Sequence, residues 1–146
     1  MRLRHLVLAA PLLSLACAAR PPAPTFVAPG AGREFVASAL AAAPLAADQN
    51  VRIQPMVESA QASTAVVQIR DREQPHIHTR YDLTWYLARG HGTLWLAGVA
   101  HLMQAGDAAF IPRGTPHGFI NEGDEPAVTV VVFAPPFSGP DQAPVP

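Results

Sequence analysis

The chain has 146 residues, one domain's worth and enough to bury a single core. Hydrophobic residues make up 49% and charged residues 14%, which excludes global disorder. The ten positive charges are all arginine and face eleven acids, for a net charge of −1, so a basic nucleic-acid-binding face has no support.

Residues 1–5 carry Arg2, Arg4 and His5, and an apolar run follows over residues 6–16. Small residues Ala16, Ala18 and Ala19 surround Cys17, the only cysteine, which rules out an intrachain disulfide framework. This layout is that of a secretory signal peptide, and the run is too short to span a bilayer as a helix of ~20 residues. A lone cysteine at its end resembles a bacterial lipoprotein signal, with lipidation at Cys17. Ser14 and Leu15 depart from that pattern, and plain cleavage after Ala18 stays open. The expectation is an exported protein of the cell envelope or periplasm, touching the membrane only through a lipid at Cys17.

Residues 18–47 are rich in Pro, Ala and Gly and read as a tether, with a short alanine-rich helix over 34–43 that Pro44 ends. From Asn50 the pattern turns to period two. Residues 51–53, 65–69, 83–87, 93–96, 108–111 and 128–133 read as strands. Turn sequences at 89–92, 104–107, 112–116 and 121–126 recur at roughly ten-residue intervals, the rhythm of an all-β sandwich or barrel. The barrel is expected over 48–137, with a Pro-rich tail over 138–146 that ends the sheet and lies along the surface. Trp85, Trp95, Phe110, Phe119 and Phe133 are expected in the core, and His91 and His101 at the surface.

On a strand, His76 and His78 point to one face and Ile77 to the other, so two imidazoles can converge on one ion. A third, His117, follows Pro112-Arg113-Gly114-Thr115-Pro116, a tight loop that returns the chain inward. Three such histidines either hold a metal or merely fill a polar cavity.

The stretch from Gly106 through Pro112, Gly114 and His117 to Asn121 matches the second signature of the cupin superfamily, G-x5-P-x-G-x2-H-x3-N, at every fixed position. His76, His78 and Gly90 fit the first, G-x5-H-x-H-x3,4-E-x6-G, while Arg70 stands at its opening glycine. The chain thus resembles a small single-domain cupin over residues 70–121. The resemblance implies a small jelly-roll β-barrel, the cupin double-stranded β-helix. It also implies a divalent transition metal held by His76, His78 and His117.

The signature's glutamate is missing. Counting forward from His78 reaches Asp82, and counting back from Gly90 reaches Leu83. A regular strand turns Leu83, Trp85 and Leu87 to the core and Asp82 away, whereas a bulge would swing Asp82 inward as a fourth ligand. Imidazole suits Fe, Zn, Ni and Cu, and a carboxylate would also suit Mn.

No general base distinct from the ligands is evident, and Arg113 reads as a solvated loop charge. The leading expectation is a metal-binding cupin that acts on or binds a small organic molecule, as a dioxygenase, isomerase or decarboxylase. The alternative is a non-catalytic envelope protein with a degenerate metal site. A homodimer paired through sheet edges is expected.

Overall fold

A computed structural model describes residues 44–145 and the backbone of residues 25–28 and 32–35. The signal segment with Cys17, and most of the tether with its expected helix, lie outside the described residues. Within the expected tether, β1 (Thr25–Ala28) and β2 (Gly32–Phe35) pair as an antiparallel hairpin. Glu34 and Phe35, where the helix was expected to begin, are therefore strand. Phe26, Val27 and Phe35 are residue types that favour extended backbone.

The remaining strands are β3 (Val51–Glu58), β4 (Ser63–Ile69), β5 (His76–His78), β6 (Asp82–Arg89), β7 (His91–Leu96), β8 (Val99–Gln104), β9 (Ala108–Ile111), β10 (His117–Asn121), β11 (Ala127–Ala134) and β12 (Gln142–Pro144). They form two five-stranded antiparallel sheets, in the orders β3-β4-β11-β6-β9 and β12-β5-β10-β7-β8. The protein is an all-β jelly roll, as expected.

The inner face of the first sheet carries Val67, Ile69, Leu83, Trp85, Leu87, Val131 and Phe133, all buried. They pack with Leu94 and Phe119 of the second sheet in one core, and the Trp85 and Phe119 rings meet at 5.3 Å. Strand β6 alternates as its sequence suggests: Leu83, Trp85 and Leu87 are buried, while Thr84 and Tyr86 are exposed.

Two aromatic expectations fail. Trp95 is 44% exposed and Phe110 is 61% exposed. In β7 the core side belongs to Leu94, so Trp95 must face outward. Phe110 lies opposite Thr84 on the outer face of the β6–β9 pair. His91 and His101 are exposed, as expected.

Two further strands escaped the pattern reading. Strand β8 lies at the edge of its sheet and is largely exposed, so it lacks the alternation of a half-buried strand. The Pro-rich tail does not simply run over the surface. It returns as β12 and pairs with β5, Gln142 opposite His78 and Pro144 opposite His76.

Candidate metal centre

Strand β5 is only three residues long, and both of its histidines are buried while Ile77 is not. It is held between β10, where His117 pairs with His76, and β12. The loop after β9 is tied to it directly: Gly114, at a φ of 76° that favours glycine, donates its N–H to the His78 carbonyl at 2.6 Å. At the far end of β10, the Asn121 side-chain amide donates to the carbonyls of Arg70 at 2.7 Å and Glu125 at 2.9 Å. This clamps β10 to the end of β4. The histidines therefore come from two neighbouring strands of one sheet, β5 and β10, held side by side through backbone.

The three imidazoles meet. One ring nitrogen of each of His76, His78 and His117 lies within 4.8 Å of the others, and all three side chains are buried. Their Nδ1 atoms are all engaged away from that point. His76 Nδ1 bonds the Gln74 carbonyl at 2.8 Å, and His117 Nδ1 bonds the Thr115 carbonyl at 2.9 Å. His78 Nδ1 bonds the Asp141 carboxylate at 2.6 Å.

A carbonyl or carboxylate oxygen can only accept, so each Nδ1 carries the proton and each Nε2 presents a lone pair. The Nε2 atoms of His76 and His78 stand 3.3 Å apart. Two lone pairs so placed repel unless a cation lies between them. Nitrogens bound to one ion at about 2.0–2.1 Å sit roughly 2.8–3.4 Å apart between a right and a tetrahedral angle. The residues present thus fit a divalent transition metal.

Burial acts in the same direction. It lowers the pKa of His117 to about 4, even though the Thr115 carbonyl opposes this. Burial also lowers that of His78, against the opposing Asp141 carboxylate. Neutral imidazole is the form that binds metal.

Asp82 is not brought to this cluster. Its carboxylate accepts from the Arg113 backbone N–H at 2.9 Å and from the guanidinium at 3.2 Å through two nitrogens. That side-chain hydrogen bonding holds its pKa below the usual carboxylate range. Strand β6 enters without a bulge at this point, Leu83 opposite Phe133 and Asp82 opposite Ala134 in continuous register. Period two then carries Leu83 inward and Asp82 away. Arg113, expected to be simply solvated, is the partner that takes Asp82. Asp82→Asn is accordingly expected to leave metal affinity within about twofold, since the pair it breaks is an exposed one; a chelator-competition titration checks this.

Three residues that the sequence did not single out complete the site. Asp141 orients His78, and its side chain is only 2% exposed. Burial works against its charge, but hydrogen bonds from His78 and from the Arg80 backbone N–H keep its pKa low. Gln142 donates from its side-chain amide to His76 Nε2 at 3.1 Å.

Glu73, in the loop before β5, stands 3.9 Å from His76 Nε2. Its pKa is raised by burial, against the opposing influence of the neighbouring His76. The sequence alone makes no general base distinct from the ligands evident, and the structure brings this carboxyl group beside them. Glu73 is the one carboxyl group in the wall of the cavity beside the histidines. Its loop can approach because the facing residue is Gly118: a Cβ there would come within 2.9 Å of the Glu73 carbonyl oxygen.

The tail that carries Asp141 and Gln142 is itself anchored. The Tyr81 hydroxyl, buried, accepts from the Ser138 N–H at 2.9 Å and donates to the Gly139 carbonyl at 3.2 Å. The Arg80 guanidinium donates to the carbonyls of Gly139 and Pro140 at 3.1 and 3.3 Å.

The cavity between the sheets has a volume of about 150 Å³. Its wall is mainly apolar, built from Val67, Leu83, Trp85, Val131, Phe133 and Phe137, with His78, His117 and Glu73 contributing polar groups. Such a chamber can present a small organic molecule to an ion held by the histidines.

A family model described as a cupin domain matches residues 64–133. That span ends before Asp141 and Gln142. An uncharacterised protein of Aquifex aeolicus is 33% identical over 93 residues, 64% of this chain and 76% of the relative. Among solved structures, KdgF from a Halomonas species superposes with a TM-score of 0.58 at 21% identity, covering 64% of this chain and 86% of that one. Streptomyces PAC13, a variant with uridine, gives a TM-score of 0.56 at 22% identity, covering 66% and 79%. PAC13 is described as a nucleoside dehydratase. At these identities the two structures speak to fold alone.

Proposed function

This chain belongs to the cupin superfamily, and from that premise we propose that it binds one divalent transition metal through His76, His78 and His117 and receives a small organic molecule in the adjoining cavity. The observation that carries the reading is the set of three Nδ1–H groups satisfied on the outside, which leaves three buried Nε2 atoms at one point, that of His76 shared with the Gln142 amide. An ion there would supply a Lewis acid with positions open to a ligand.

The residues around it divide the remaining work. Asp141 and the carbonyls of Gln74 and Thr115 hold the imidazoles in one tautomer and one orientation. Leu83, Trp85, Val131 and Phe133 exclude water from the chamber and strengthen electrostatic interactions inside it. Glu73, 3.9 Å from His76 Nε2, stands where it can give or take a proton at its carboxyl oxygen. Histidine alone supplies the protein nitrogen donors, a set that suits Fe, Zn or Ni.

The test is metal analysis of protein purified without chelator, followed by a turnover screen under Fe(II) and dioxygen against phenols, keto acids and sugars. The expected content is about one transition metal per chain, and an absence of metal after reconstitution would end the reading. Turnover separates an enzyme from a binding protein.

A further inference from the structure

The glutamate of the first cupin signature is absent, and nothing carried by β6 replaces it. Leu83 turns into the cavity wall, and Asp82 is held by Arg113. The ligand-type atoms within 4.8 Å of one another are those of the three histidines, joined by no carboxylate among the described residues. Glu73 comes to 3.9 Å from His76 Nε2, beyond the roughly 2.8–3.4 Å that separates two donors on one ion.

The Gln142 side-chain amide lies inside that range, 3.1 Å from His76 Nε2. Its placement is built into the sheet. Gln142 sits opposite His78 in the antiparallel pairing of β12 with β5, and residues so paired project from the same face. Both histidines of β5 share that face, and Gln142 lines the cavity with His78 and His117. Next to it, Asp141 is fixed by its bonds to His78 and to the Arg80 N–H.

The contact with His76 cannot persist beside a bound ion. Gln142 donates to the one lone pair through which His76 binds a metal, since Nδ1 directs its proton to the Gln74 carbonyl. An ion that takes this lone pair leaves the amide without its acceptor. A half turn of the amide exchanges its NH2 group for Oε1 at nearly the same place, and an acceptor then faces the ion. Gln142 is exposed at the edge of the cavity, so this turn disturbs no packed core.

We propose that Gln142 is the fourth protein ligand, offering Oε1 to a divalent metal on the three histidines in place of the absent glutamate. The assignment rests on the metal reading above and completes its ligand set. The family model matches residues 64–133, so this ligand comes from a part of the chain outside the shared domain. An amide oxygen is neutral, which leaves the charge of the ion undiminished by any ligand carboxylate.

Wild type, Gln142→Leu and Gln142→Glu are titrated with Zn(II) and with Mn(II) against a chelator, and the metal-free proteins are melted. Oxygen donors matter more to Mn(II) than to Zn(II). Gln142→Leu is expected to bind Mn(II) about tenfold more weakly than wild type and to lose less for Zn(II), so the preference for zinc widens. Gln142→Glu restores a carboxylate and is expected to bind Mn(II) about tenfold more tightly than wild type, which narrows the preference. Metal-free melting temperatures stay close together.

A Gln142→Leu protein that binds metal more tightly than wild type overturns the proposal, because the amide then only blocks the His76 nitrogen. Equal affinities overturn it as well. So does a loss shared equally by both metals, which would mean that Gln142 merely steadies the tail and Asp141. In each of these cases the histidine centre stands. Uptake of neither metal by wild type ends that centre, and the fourth ligand with it.

Discussion

Protein carrying His76→Ala together with His78→Ala is expected to take up no transition metal under conditions where wild type takes up about one per chain. The two side chains are neighbours on one face of a three-residue strand, and their Nε2 atoms stand 3.3 Å apart. Removing both leaves His117 as the single imidazole of the cluster. A complete protein site contributes on the order of 10 kcal/mol to metal binding, so losing two of three donors weakens affinity by more than about a thousandfold. Chelator competition reads this directly.

The fold is expected to survive the double substitution. The large apolar residues of the core belong mostly to the opposite sheet, and β5 is held by backbone pairing to β10 and β12. Melting of the variant should therefore stay near that of metal-free wild type. A double variant that keeps its metal would place the ion elsewhere and dissolve the centre assigned to these histidines.

Much of this centre could be read from residue spacing because the determinants are local. Pro112 and Gly114 shape the loop, His117 follows at once, and Asn121 closes the strand with bonds to Arg70 and Glu125. Period two correctly placed Leu83, Trp85 and Leu87 inside. It failed for Trp95 and Phe110 because residue type does not tell which phase of an alternation meets the core. Leu94 took the inward position in β7, and the pairing with Thr84 turned Phe110 outward.

The missing carboxylate was sought at Asp82 by counting along one strand. The structure gives Asp82 to Arg113 and brings Glu73 and Asp141 to the histidines from outside that strand. Asp141 reaches His78 across 63 residues of sequence. No period or motif in the tail announces such a contact, since it depends on where two distant segments meet in space.

That distant contact carries the second large effect. Asp141→Ala is expected to weaken metal binding by about 10- to 100-fold, the usual consequence of removing the group that orients a histidine ligand. The carboxylate is buried, bonded to His78 Nδ1 at 2.6 Å and to the Arg80 N–H at 2.9 Å. Without it the His78 ring loses the acceptor that fixes its tautomer, and the Nε2 lone pair is no longer held toward the cluster.

Asp141→Asn separates positioning from charge. Its side-chain carbonyl can still accept from Nδ1, so the tautomer is kept and part of the affinity should return, while the negative charge behind the imidazole is lost. Arg80→Ala gives a control on the tail itself, because it loosens the bonds to Gly139 and Pro140 without touching a histidine. If Asp141 positions His78, the order of affinities is wild type, then Asp141→Asn, then Asp141→Ala, with melting temperatures of the metal-free proteins close together. Equal affinities across the series would reduce Asp141 to a tether for the tail. Affinities that merely track melting temperature would mean that the carboxylate supports the barrel and not the ligand.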